Sequence, residues 1–150
     1  MYHAIVKRIA RKNFLRVNQK DFDAILSACV PGIHHQFGGA HALGGKRHDR
    51  EALGRWFGRL GRLCPHLALT VDDIWVKGLP HNTTVIVRWS ATDTLPDGSP
   101  YRNRGVHVIK MSWGKVFDID AHEDSQAVAQ SMTKQAALGI EEATAAQILS

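Results

Sequence analysis

The sequence predicts an α+β domain: a curved, cone-shaped antiparallel or mixed β-sheet packed against N-terminal and central helices. Apolar residues first recur at helical spacing, most clearly in the stripe Ala52, Leu53, Trp56, Phe57, Leu60 and Leu63. Beyond Pro65 the period drops to two, and strand-like runs such as residues 85–91 and 106–111 follow one another across turn signals. A period near 3.6 then returns in Val128, Ala129, Met132 and Ala136. Neither helices nor sheet can bury an apolar face alone, so the layers must pack together, and a bent sheet closed by helices leaves a pocket at its mouth.

Residues 4–14 set Ile5 and Ile9 at helical spacing beside Val6, Ala10 and Phe14, which predicts a first helix, basic on its outer side. A second helix is expected from Asn18 or Lys20, with Phe22, Ile25 and Leu26 as its stripe and Pro31 and Gly32 as its end. Residues 33–37 make a short candidate strand closed by Gly38 and Gly39, and a loop runs on through Gly44 and Gly45. Asp49 suits the N-cap of the Trp56 helix, because its carboxylate accepts from unpaired N–H groups of the first turn; Cys64 and Pro65 stop that helix. Leu67, Leu69 and Val71 then alternate, Ile74, Trp75 and Val76 continue toward Gly78, and residues 80–82 turn into a long strand from Thr83. Asp97 and Gly98, flanked by Pro96 and Pro100, join it to a strand over residues 101–112. A tight connection at residues 113–115, with Gly114 expected at positive φ, leads into a last strand from Val116. A helix over residues 126–138 follows, and a final short helix is expected within residues 141–149.

A chain of 150 residues is enough for one domain with a real core, taken here as residues 1–150. The formal charge of +5 is concentrated in Lys46, Arg47, Arg50, Arg55, Arg59 and Arg62, read as an exposed helix flank. No base-reading motif accompanies it, so no nucleic-acid partner is expected. Cys29 and Cys64 stand apart and outside any CxxC pair, as expected of reduced, partly buried thiols. No stretch approaches the ~18 apolar residues of a membrane span, and the N-terminus lacks a signal-peptide core; a cytoplasmic protein with no membrane partner is expected.

On a regular strand, Asp118, Asp120, His122 and Asp124 share one face, which either edges solvent or lines a polar cavity. Asp124 directly precedes a helix: in a dry pocket, loss of hydration would raise its pKa into a working acid–base range, while as an N-cap it would accept backbone N–H groups and stay charged. His122 lies two residues earlier and either serves a substrate oxygen, pairs with Asp120, or sits at solvent or a subunit interface. His107 and Asn103 share a face of the preceding strand, pointing inward if the sheet curls around them and outward otherwise. Of the adjacent His34 and His35 only one can look inward, and His35 is assigned to the pocket. Phe37, Trp56, Trp75, Trp89 and Tyr101 supply candidate apolar walls for a hydrophobic small molecule. HExxH, cysteine clusters and nucleotide-binding glycine loops are all missing, so neither a metal nor a cofactor is expected.

Several stretches together resemble the SnoaL-like polyketide cyclase family, within the wider group of ketosteroid isomerases and nuclear transport factor 2. They are residues 45–57, a glycine-basic turn entering a helix with Trp56 and Phe57; residues 72–78; residues 89–107, with Asp97, Gly98, Tyr101, Asn103 and His107; and residues 113–116 followed by Asp124, Ser125 and Gln126. Asp49 departs from the glycine usual at the helix entrance, which alters capping only. The resemblance implies an α+β cone with a cavity between sheet and helices and a homodimer formed through the outer sheet face. It implies a role for Asp124 as general acid or base, aided by His122 or Asp120, with Asn103 or His107 supporting an oxyanion. The implied activity is cofactor-independent cyclase, isomerase or lyase chemistry on a carbonyl or polyketide-like compound. The alternative is a non-catalytic ligand-binding or protein-interaction member of the same fold.

Overall fold

Four long strands joined by tight turns make up most of a single sheet in the computed structural model, which describes residues 1–150. They are β3 (Ala68–Leu79), β4 (Asn82–Thr94), β5 (Pro100–Ser112) and β6 (Lys115–Glu123), each antiparallel to the next. Two further strands, β1 (Cys29–Phe37) and the short β2 (Gly45–Arg47), extend the sheet to the order β2-β1-β6-β5-β4-β3, with β1 parallel to β6. Both edges remain open. The turn between β5 and β6 places Gly114 at φ +81°, a left-handed conformation that glycine adopts without a Cβ clash.

The helices are α1 (Tyr2–Asn18), α2 (Phe22–Ser27), α3 (Arg50–Leu63) and α4 (Ser125–Ala137), with a 3-10 turn at Glu141–Thr144. No helix is long and apolar enough to cross a membrane. Capping follows the expected chemistry: Asp49 accepts from the Ala52 N–H at 2.7 Å, and Asp21 and Asp124 do the same for α2 and α4. All four helices pack on the inner face of the sheet, but they build two cores rather than one. α1 buries Val6, Ala10 and Phe14 with Ile74, Val85, Val87 and Trp89. The other three helices bury Ile25, Leu53, Trp56, Phe57, Val128 and Met132 with Ile33 of β1. Leu67 and Val116 touch both cores.

Four local expectations are corrected. The helix expected to reach Pro31 and Gly32 ends at Ser27, and both residues lie in β1, where the pairing with β6 is irregular between Cys29 and His34. Proline has no N–H to give a ladder, so it sits where pairing lapses. Residues 45–47, read as loop, form β2, which is too short for alternation to show. The expected helix over residues 141–149 is only the 3-10 turn. Finally, Arg47 does not lie on an exposed flank: it is on β2 and has no solvent exposure.

Two register irregularities decide which side chains face inward. Between Val71 and Asp73 an extra residue in β3 moves the inward set from Leu69 and Val71 to Ile74 and Val76. In β6, Met111 pairs with Val116 but Lys110 with Asp118, so Phe117 is the extra residue and the inward set becomes Ile119, Ala121 and Glu123. The α3 core contact is the simplest to test. Leu53, fully buried, leaves a cavity on Leu53→Ala, and urea unfolding is expected to show a loss of about 3 kcal/mol.

Candidate functional site

A cavity of about 160 Å³ lies where the two cores meet, bounded by α1, α3, α4 and the inner faces of β1, β4, β5 and β6. Of its 32 lining residues 26 are hydrophobic, so the few polar groups on the wall determine what it can recognise. An apolar protein cavity of about 150 Å³ accommodates benzene, which sets the scale: a single ring or its equivalent.

His107 enters from β5. Its ring is enclosed by protein yet keeps accessible surface, and it lines the cavity. The Trp89 indole Nε1–H donates to its Nδ1 at 2.7 Å. Trp89 can lie flat enough to do so because Gly105 stands beneath it; a Cβ there would meet the indole at 2.6 Å. Burial holds the His107 pKa down to about 4, with the His122 charge adding to the effect and Asp120 opposing it. His35 enters from β1, packs at 4.6 Å from the Trp56 ring and accepts at Nδ1 from Arg47 Nη1. Burial, then the Arg47 charge, holds its pKa well below the usual histidine range. At the far end of β5, Asn103 Nδ2 donates to the Tyr101 hydroxyl at 2.8 Å, and burial pushes that hydroxyl far up, so it stays protonated.

The residue missed by sequence reasoning is Glu123. Both of its carboxyl oxygens are enclosed and neither makes a hydrogen bond of good geometry, although two backbone amides lie close by. Burial pushes its pKa up to about 7, only partly opposed by the backbone amides of Glu123 and Gly38. It is not itself a lining residue, but it lies close enough to the lining residue Tyr101 to act on it electrostatically. Its strand neighbour across β5 is Gly105, and Asn103, two residues away, bonds the backbone of Asp124. The signal for it was present: Ile119 and Ala121 are apolar and share its parity.

The expected residues therefore divide. His107, Asn103, His35, Phe37, Trp56, Trp89 and Tyr101 all line the cavity. Asp120, His122 and Asp124 do not. Because of the extra residue at Phe117, Asp118, Asp120 and His122 share the outer face, where His122 Nε2 pairs with Asp120 at 3.0 Å and Asp118 with His34 at 2.6 Å. Asp124 is exposed and caps α4, accepting from Ala127 N–H at 3.2 Å. Trp75 is on the outer face, 46% exposed, beneath the Arg88 guanidinium at 5.6 Å. Cys29 and Cys64 are free, buried thiols on the cavity wall, raised by burial to about 11 and about 12.

Solved structures with the same architecture share little sequence with this chain. Bal32a, from a soil-derived mobile gene cassette, is 20% identical with a TM-score of 0.70, over 81% of this chain and 91% of its own. A nuclear transport factor 2-like protein of unknown function from Burkholderia pseudomallei is 16% identical with a TM-score of 0.72, over 83% and 94%. A Bacillus subtilis protein, provisionally named an isomerase, is 17% identical with a TM-score of 0.69, over 83% and 89%. Comparison with curated proteins returns no match. At these identities the structures establish a common fold and nothing finer. A family model of the SnoaL-like domain, however, matches residues 10–119, most of the chain and nearly all of its sheet and early helices, and the protein belongs to that family.

Proposed function

We propose that this protein is an acid–base enzyme of the isomerase kind, in which Glu123 exchanges a proton with a compact carbonyl compound held in the cavity. One observation carries the reading: an enclosed carboxyl without a side-chain partner lies within electrostatic reach of Tyr101, a lining residue of the apolar cavity. A carboxyl near the midpoint of its titration at neutral pH supplies base and acid forms in comparable amounts. As base it would take a proton from carbon next to the carbonyl; the enolate oxygen would be met by a wall donor, and the acid form would return the proton at another carbon. Asn103, by donating to the Tyr101 oxygen, leaves the hydroxyl proton free for the ligand. The cavity's size favours one ring over a fused polyketide skeleton. The alternative, a ligand-binding protein without turnover, shares the cavity but needs no proton acceptor.

A second copy of the chain is the proposed partner. Trp75, Ile86 and Val108 form one cross-strand row on the outer face, apolar and partly exposed. Light scattering is expected to give a dimer for the parent and a monomer for Trp75→Glu.

The Glu123 assignment has a consequence for stability. Its folded pKa lies above the unfolded value of 4.5, so the folded state holds this proton more tightly. Its contribution is fully present below about 4.5 and is lost as pH rises to about 7. His107, held down to about 4, contributes the opposite slope below 6.5. Denaturation profiles of the parent and Glu123→Gln are therefore expected to differ by a term that falls with pH across this window and is flat above it. For activity, a screen of single-ring ketones and enones should yield a substrate on which Glu123→Gln lowers kcat/KM by roughly 10²- to 10⁴-fold. Asp124→Asn, which keeps the cap, should change it little; the reverse pattern would return the acid–base role to Asp124.

A further inference from the structure

His35 and His107 reach the cavity from different strands under the same chemical restriction. In each ring Nδ1 is occupied by a group that can only donate: the Trp89 indole N–H on His107 and the Arg47 guanidinium on His35. Both Nδ1 atoms must therefore present a lone pair, and a neutral imidazole with a lone pair there carries its proton on Nε2. Protonating either ring would set one N–H against another. Burial opposes that charge as well. Neither Nε2 has a protein partner.

The side-chain oxygens on the same wall each already receive at least one N–H. Asn103 Oδ1 accepts from the Arg104 and Asp124 amides, the Tyr101 oxygen from Asn103, Ser131 Oγ from Gln135 and Asn13 Oδ1 from Arg16. The two Nε2–H groups, by contrast, have no protein partner at all. We propose that the cavity selects a compact apolar ligand with an acceptor-only carbonyl oxygen, received by the Nε2–H of His107, with His35 supplying a second donor of the same kind. Trp89 and Arg47 are the positioning residues that set these tautomers. This rests on the cavity being the substrate site proposed above, but it concerns recognition and needs no turnover. An alcohol of the same skeleton would bring a hydroxyl proton that must share wall oxygens already receiving an N–H, a weaker match than the one a ketone makes with the two Nε2–H groups.

Cyclohexanone, cyclohexanol and benzene serve as probes. In ¹⁵N-histidine-labelled protein at neutral pH, long-range proton–nitrogen NMR is expected to show His35 and His107 as neutral Nε2–H tautomers. Cyclohexanone should bind about tenfold more tightly than cyclohexanol. Its carbonyl band should move to lower frequency on binding. Trp89→Phe should let His107 populate both tautomers and shrink the band shift while benzene still binds. If that variant fails to fold, His107→Phe removes the same donor and is read by the same band. A parent His107 with Nδ1–H or a positive charge, an unshifted carbonyl, or equal binding of ketone and alcohol would overturn the proposal. So would a cavity that takes benzene but not cyclohexanone, or neither. Glu123→Gln separates the two ideas, since it should leave tautomers and carbonyl shift intact while abolishing any acid–base turnover.

Discussion

A guanidinium without a carboxylate partner holds the site half of this molecule together. Arg47 is fully buried, yet all of its polar contacts are neutral: the Gly44 and Ile148 carbonyls at 3.0 Å each, and His35 Nδ1. It also lies 5.5 Å from the Trp56 ring centre. Taking such a charge out of water costs several kcal/mol unless every donor is satisfied, so the groups around it have little freedom to move. They are the loop before β2, the C-terminal segment and the β1 wall of the cavity. Trp56 extends the network by donating to the Leu43 carbonyl at 2.7 Å, and Arg59 by donating to Ala42 and Ala146. Burial and the nearby Arg59 lower the Arg47 pKa to about 10, which still leaves it charged at neutral pH.

The same loss of hydration acts on the other ionisable groups and drives them in opposite directions. It lifts Glu123 to about 7 and presses His107 to about 4, so near neutrality an easily exchanged proton sits on the carboxyl and none can be added to the histidine. Two titratable groups pushed apart in this way are a recurrent arrangement where a proton has to move. The uncompensated charge of Arg47, behind His35, adds a positive potential to that side of the cavity. A developing negative oxygen is better accommodated there than a cation.

Most of the fold was legible because periodicity and turn chemistry are local. The α3 stripe, the Asp49 cap, the turn at Asp97 and Gly98 and the cavity-facing His107 follow from spacing once the sheet curls inward. The site was legible only in part, and the reason is two single residues. On a strictly regular β6, the even positions that begin with inward Val116 would have carried Asp118, Asp120 and His122 into the cavity. The extra residue at Phe117 reverses that parity, turning the histidine and aspartates out and Glu123 in. The extra residue between Val71 and Asp73 turns Trp75 outward in the same manner. Such irregularities depend on how a strand meets its neighbours, which no window of sequence records. Arg47 was misjudged for a related reason: its acceptors lie three, 12 and 101 positions away.

The cavity occupies the junction of two separately packed cores, and most of the buried residues of each core also form its wall. Ala91, Val85 and Ile109 face the void from one side and Leu43, Val128 and Met132 from the other, while each core retains neighbours beyond the junction. A change of volume on this wall therefore alters the shape offered to a ligand and the packing of a core at once. Ligand fit and stability are thereby tied to the same side chains, within an architecture shared with proteins only 16–20% identical to this chain.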